Sequence, residues 1–191
     1  MRNAHLILVL AASFAPFTSA RAAPANLPET GQITCTDATG AVIPCASTGQ
    51  DGDLRVGVAW PEPRFIGGVG DKAACVTDRL TGLMWVRAPD SSPMAWGASL
   101  AYANGLTLCG FSDWRLPNIR ELESLVNSAA TNPAAFLNTH GFANVQASGY
   151  WSSSSYFEFA NNAWIVSMFD GGVAANGKSN NYYVWPVRAG Q

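Results

Sequence analysis

Pro117 is the residue that most constrains what this chain can fold into. It lies in "DWRLPNIRELESLVN" (113–127). A proline pushes the residue before it out of the helical region, so the run from Asp113 to Leu116 reads as extended. Asn118 then serves as a helix cap, and Glu121 three residues on completes a capping box. Ile119, Leu122, Leu125 and Val126 form the apolar face of the helix that follows, while Arg120, Glu121 and Glu123 face water. An extended entry turning directly into an amphipathic helix needs a sheet beside the one and a core beneath the other. Arg115, between Trp114 and Leu116, is expected to be partly buried and to need an acid. Asp113, Glu121 and the C-terminal strand are its candidate partners. Trp114, Arg115, Asn118 and Glu121 are therefore read as the structural corner of the fold and not as a reaction centre.

The flanking segments supply that sheet and core. "VTDRLTGLMWVR" contains a turn at Thr81-Gly82 and a strand from Leu83 to Arg87. In "SPMAWGASLAYANGLTL", Ser92 caps a helix with Pro93 in its first turn. Met94, Leu100, Ala101 and Leu108 form its apolar stripe, and Asn104-Gly105 ends it. The segment around Pro133 and Gly141 reads as loop. Beyond it lie three β-type runs, "YWSSSSY" (150–156), "AWIVSMF" (163–169) and "YYVWPVR" (182–188), with turn signals at Asp170-Gly171-Gly172 and Asn176-Gly177. Strand, two helices and an antiparallel meander make an α+β arrangement.

The N-terminal segment reads differently. "MRNAHLILVLAASFAPFTSARAA" has a short apolar run from Leu6 to Ala12, then small residues fitting A-x-A cleavage at Ala20-Arg21-Ala22, with Thr18-Ser19-Ala20 as a second candidate. The expected organisation is a signal peptide over 1–22, a lead-in arm over 23–58 and the main domain over 59–191. Export, to the periplasm or beyond, follows from the leader. No other segment is long and apolar enough to be a transmembrane helix. Cleavage leaves 9 Lys and Arg (11 less Arg2 and Arg21) against 13 Asp and Glu. A balance near −4 argues against a nucleic-acid partner held by phosphate neutralisation.

Cys35, Cys45, Cys75 and Cys109 all follow the leader, and an even count in an oxidising compartment reads as disulfides. Three pairings are open. The preferred one joins Cys35 to Cys45 as a tight loop in the arm, and Cys75 to Cys109 as a clip between the start of the main domain and its first helix. No C-x-x-C spacing supports a zinc site, and Asp51-Gly52-Asp53 reads as a turn without the further oxygen ligands of a calcium loop. No metal and no cofactor is expected.

Taken in order, "TGLMW", "GFSDWRLPNIRELESLVN", "YWSSSSY", "AWIVSMFDGG" and "VWPVRAG" resemble the C-terminal domain of the Legionella collagen-like adhesin, over about residues 31–190. The resemblance implies a C-type-lectin-like domain, two helices packed against a curved antiparallel sheet. It also implies an adhesin-like role, in a family whose namesake domain binds sulfated polysaccharide and forms trimers. Polyanion binding requires basic surface, and after Arg120 this chain has only Lys178 and Arg188. The oligomeric state is left open.

Catalytic constellations are thin. Once the leader is removed His140 is the sole histidine, in a loop-like context that suits a surface or capping role. The sheet region carries only Glu158 and Asp170 as acids, and Asp170 belongs to a Gly-Gly turn. The chain therefore reads as a binding domain and not an enzyme, with an enzyme acting on envelope polymers, or a structural interaction module without a small ligand, as the alternative readings. Its ligand would be an extracellular glycan or protein. The candidate ligand contacts are Trp151, Ser153, Asn176, Lys178, Asn180, Asn181 and Tyr182, where aromatic rings alternate with short amides and hydroxyls. Trp164 and Trp185 are expected in the core.

Overall fold

The computed structural model describes residues 27–190. The expected leader and residues 23–26 of the arm lie outside the described residues. The arm opens with β1 (Cys35–Thr36) paired to β2 (Val42–Ile43). Asp37 closes this hairpin, its carboxylate accepting from the Thr39 and Ala41 amides at 2.9 and 3.0 Å. The Cys35–Cys45 disulfide forms, as preferred from sequence. Asp51-Gly52-Asp53, read as a turn, is the start of a one-turn helix, α1 (Asp51–Leu54). The left-handed backbone at Arg55 (φ 44°) stops it there. The arm then returns, and Val58 bonds with both Leu27 and Glu29.

The main domain begins with a four-stranded antiparallel sheet built from β3 (Phe65–Gly67), β4 (Cys75–Asp78), β5 (Leu83–Val86) and the last strand of the chain. The β4–β5 turn is organised around Asp78, which is fully buried. It pairs in bidentate fashion with buried Arg64 at 2.8 and 2.7 Å, and also accepts from Leu80 N and Thr81 Oγ1. Four acceptor contacts offset the cost of burying that carboxylate.

The helix expected from Ser92 starts later. Met94–Ala95 is a short strand, β6, and α2 runs over Trp96–Gly105. Pairing of Met94 with Tyr182 and of Ala95 with Asn181, far downstream in the chain, overrides the local Ser-Pro signal. The buried face of α2 is Ser99 and Ala103, flanked by Trp96 and Leu100. Ala101 is exposed, and Leu108 lies past the helix, bonded to Phe111. The second disulfide, Cys75–Cys109, ties the start of β4 to the loop after α2.

At the Pro117 corner the sequence reading holds. α3 (Ile119–Glu123) carries both halves of the capping box, and Leu122 and Leu125 are fully buried. The helix itself stops at Glu123, so Leu125 and Val126 pack from the turn that follows it. A further helix, α4 (Pro133–Thr139), occupies what was read as loop. Asn132 caps it by accepting from Ala135 N, Pro133 opens it, and Leu137 and Ala134 enter the core. The fold is α+β as expected, with four helices among the described residues instead of two.

The second sheet is β7 (Gly149–Ser155), β8 (Asn162–Ser167) and β9 (Val173–Gly177), in antiparallel order. Alternation along the strands divides two apolar clusters between its faces. Tyr150 and Val166 join Leu122 and Leu125 on the α3 side, while Trp151, Ala163 and Ile165 meet Ala103 and Trp96 on the α2 side. The final β-type run does not continue this meander. It splits into β10 (Asn181–Tyr182), paired to β6, and β11 (Val187–Ala189), which crosses to pair with β5. Pro186 lies between them, and Trp185 there fills the core, its indole N–H donating to Val86 O at 2.8 Å.

Candidate functional site

The serine run of β7 serves the Pro117 corner. Ser153 N donates to Pro117 O at 2.7 Å, and Ser154 Oγ accepts from Ile119 N at 3.1 Å, satisfying one of the free amides at the start of α3. Ser152 is fully buried and donates to Trp164 O across a register shift between Trp151 and Ser155. Arg115 pairs with Glu121, one of its three expected partners, through two short contacts of 2.7 and 2.6 Å. Burial pushes Glu121 up, but the bonds from Arg115 and the Asn118 amide prevail and hold its carboxyl below the usual range. Asp113 takes a different partner, Arg188 of β11, at 2.7 and 3.0 Å, and that contact lowers its carboxyl. The backbone of Arg115 meanwhile bonds with Val187 on both sides. Helix and C-terminal strand are thus clamped by two ion pairs from one short segment.

Beyond this corner the β7–β8 hairpin carries an open row of rings. Phe159, Tyr156 and Trp164 follow one another at centroid separations of 5.8 and 5.0 Å, tilted by 49° and 66°. Phe157 at the tip is 99 % exposed and Phe159 55 %. Tyr156 donates its hydroxyl to Glu158 Oε2 at 2.7 Å, and this bond pushes the phenol up from its ordinary value. Trp164, expected in the core, is half-buried at the edge of this row.

A polar notch borders the rings. Gly177 lies directly opposite Asn162 in the β8–β9 ladder. A Cβ at Gly177 would meet Asn180 Nδ2 at 3.7 Å, Asn162 Oδ1 at 3.8 Å and Ser179 Oγ at 3.9 Å, so three polar side chains converge over this glycine. Asn180 and Asn181 are exposed, and Asn176 is half-buried with its Oδ1 3.5 Å from Asn180 Nδ2.

The other expected contacts sit apart. Trp151 is fully buried, its indole donating to Met94 O at 2.9 Å and its ring edge-on to Tyr182. Trp151 packs beneath the surface and Tyr182 is half-buried above it. Ser153 is committed to the corner through its backbone. Lys178 lies on the α2 face, opposite Trp164, because Ala163 and Trp164 are adjacent in β8 and point opposite ways. Its ammonium sits 4.2 Å over the Trp96 ring and donates to Ser155 Oγ and Ala160 O, both at 2.8 Å. His140 caps α4 on its surface, Nδ1 2.7 Å from Phe136 O and the ring stacked on Phe136, in the capping role expected.

Sequence reasoning missed Tyr156 and Phe159. Their signal was present as "SYFEFANN", a hairpin loop with three aromatics within four residues. Two clefts, of about 790 and 530 Å³, lie elsewhere, on either side of Trp60 where the arm crosses the domain. Within their linings Arg120 pairs with Glu123 and Arg55 with Glu29. No group of three or more side chains that could hold a metal occurs among the described residues.

Comparison with known proteins gives the fold its family. The profile of the Lcl C-terminal domain matches residues 74–188, more than half of the chain. The chain belongs to that family. The matched span of this Lcl C-terminal domain starts at the end of the β3–β4 turn, leaving the arm and β3 outside it. No curated protein matches the chain. Both disulfides and membership in an adhesin-associated family are consistent with an exported protein. Among the described residues no helix is long and apolar enough to cross a membrane.

Proposed function

We propose that this protein is an exported, C-type-lectin-like recognition domain that binds a carbohydrate or a protein ligand, adhesin-like, and that it acts by binding and not by catalysis. The observation that carries the reading is the row Phe159–Tyr156–Trp164 beside the notch of Asn162, Asn180 and Ser179 over Gly177. Rings that stack on apolar faces beside amides that bond hydroxyls are the recurring chemistry of sugar recognition. The two helices α2 and α3 against opposite sides of the β7–β8–β9 sheet support the lectin-like comparison. A capping histidine and paired carboxylates support a non-catalytic role. The surplus of acids supports the absence of a nucleic-acid partner.

The test is a glycan array probed with the oxidised mature domain and with a Phe159→Ala/Asn180→Ala variant. Both replaced side chains are exposed, so the variant keeps its fold. Binding lost in the variant is the expected result. A folded wild type that binds no glycan refutes a sugar ligand for this face.

A further inference from the structure

The charge inventory around the ring row is narrower than that of the chain as a whole. Nine Lys and Arg fall between residues 27 and 190. Five are held in ion pairs: Arg55, Arg64, Arg115, Arg120 and Arg188. Lys72, Arg79 and Arg87 belong to the turns and ends of the first sheet. There Lys72 lies over Phe111, and the two arginines donate to Pro63 O and Ala73 O. Lys178 lies next to the polar notch, and its ammonium is taken up by the Trp96 ring, Ser155 Oγ and Ala160 O. The one charged side chain within the row is Glu158, tied to Tyr156.

We infer that the ring-and-amide face takes an uncharged glycan, and that sulfated or otherwise polyanionic chains are not its ligands. The inference rests on the recognition reading above and narrows its ligand class. A polyanion gains affinity by releasing counterions to fixed cations, and a face that offers a carboxylate instead repels it. Neutral sugars need only what is present: ring faces for their C–H surfaces, and amides that both donate and accept for their hydroxyls. Adjacent rings are tilted by 49° and 66°, so they do not form the flat strip that would lie on a crystalline polysaccharide surface. A single soluble chain, turning as it passes the hairpin, fits them.

The experiment uses the oxidised mature chain on neutral oligosaccharides and on heparin fragments in parallel, at about 50 and about 200 mM salt. The expected result is binding to a neutral class that changes less than about twofold between the two salt concentrations, because no counterions are released. Phe159→Ala/Asn180→Ala should abolish it. Heparin binding that weakens steeply with salt, without neutral binding, overturns the inference while leaving a recognition domain in place. Neutral binding that survives the double substitution also overturns it, because the ligand then sits on another face. A folded protein that binds neither probe class removes the inference and the carbohydrate half of the reading it rests on, leaving a protein ligand.

Discussion

Between Leu27 and Trp60 only Cys35 is buried, whereas the domain from residue 74 to 188 encloses Trp85, Trp114, Trp151 and Trp185 at 2 % exposure or less. The arm leaves Ile33, Val42, Leu54, Val56 and Val58 in water and is held by a ten-residue disulfide loop, the Asp37 turn and the Glu29–Arg55 pair. The contrast separates two ways of holding a chain. Apolar burial scales with how much of the sequence surrounds a residue, and a short arm has nothing to surround. Local crosslinks and capped turns work at any length but stabilise only their own neighbourhood.

The comparison is broken most directly from inside the domain. Trp185→Ala should cost about 3–5 kcal/mol in denaturant unfolding, because it empties the site against Trp85 and Phe142 and strips Val86 O of its donor. Replacing Cys75 and Cys109 by Ser should lower the same cooperative transition by about 3–4 kcal/mol, the loss from reopening a loop of this length, measured without reductant. A domain that melted unchanged would mean that the clip acts only locally, like the one in the arm.

Glu121→Gln tests the corner and should cost about 0.5–1 kcal/mol at neutral pH, through the charged pair with Arg115, because glutamine can still close the capping box. Glu121 is held below its ordinary value in the folded state, so its contribution is present above that value and fades as pH falls through the lowered one. Melts of wild type and variant should therefore converge as pH falls below the ordinary glutamate range. In the arm, Cys35→Ser with Cys45→Ser should leave the main transition within about 0.5 kcal/mol. Faster amide exchange confined to the β1–β2 hairpin would mark the local loss. Phe157→Ser, at the hairpin tip, should change stability least of all, and a measurable drop would show that the ring packs against something in solution.

How far the sequence was legible follows from the range of the interactions involved. The Pro117 corner was readable because its signals lie within six residues: a proline, a cap, a capping-box acid and an arginine partner. The α2 start was misread because Met94 and Ala95 answer to β10, which no local pattern reveals. α4 was overlooked although Asn132-Pro133 is itself a start signal, since Gly141 and the surrounding small residues outweighed seven helical positions. The Arg64–Asp78 pair was invisible for the same reason as the β6–β10 pairing: its members lie 14 residues apart with no periodic relation. At the candidate site the polar half, Asn176 to Asn181, stood out in composition. The ring half was harder to pick out, because the exposure of Phe157 and Phe159 depends on how the β7–β8 hairpin is packed and not on local sequence.

The placement of β3 and β11 at the two edges of the first sheet has a mechanical consequence. Phe65 lies opposite Asp78, and Ala189 opposite Leu83, so the chain enters and leaves at the same end of the sheet, about 14 Å apart across three strand spacings. Tension applied between these two points pulls across the strands and peels hydrogen bonds one pair at a time instead of shearing them together. On the entry side, peeling runs through β3 and stops at Cys75, where the covalent bond to Cys109 carries the load past β4 into the loop after α2.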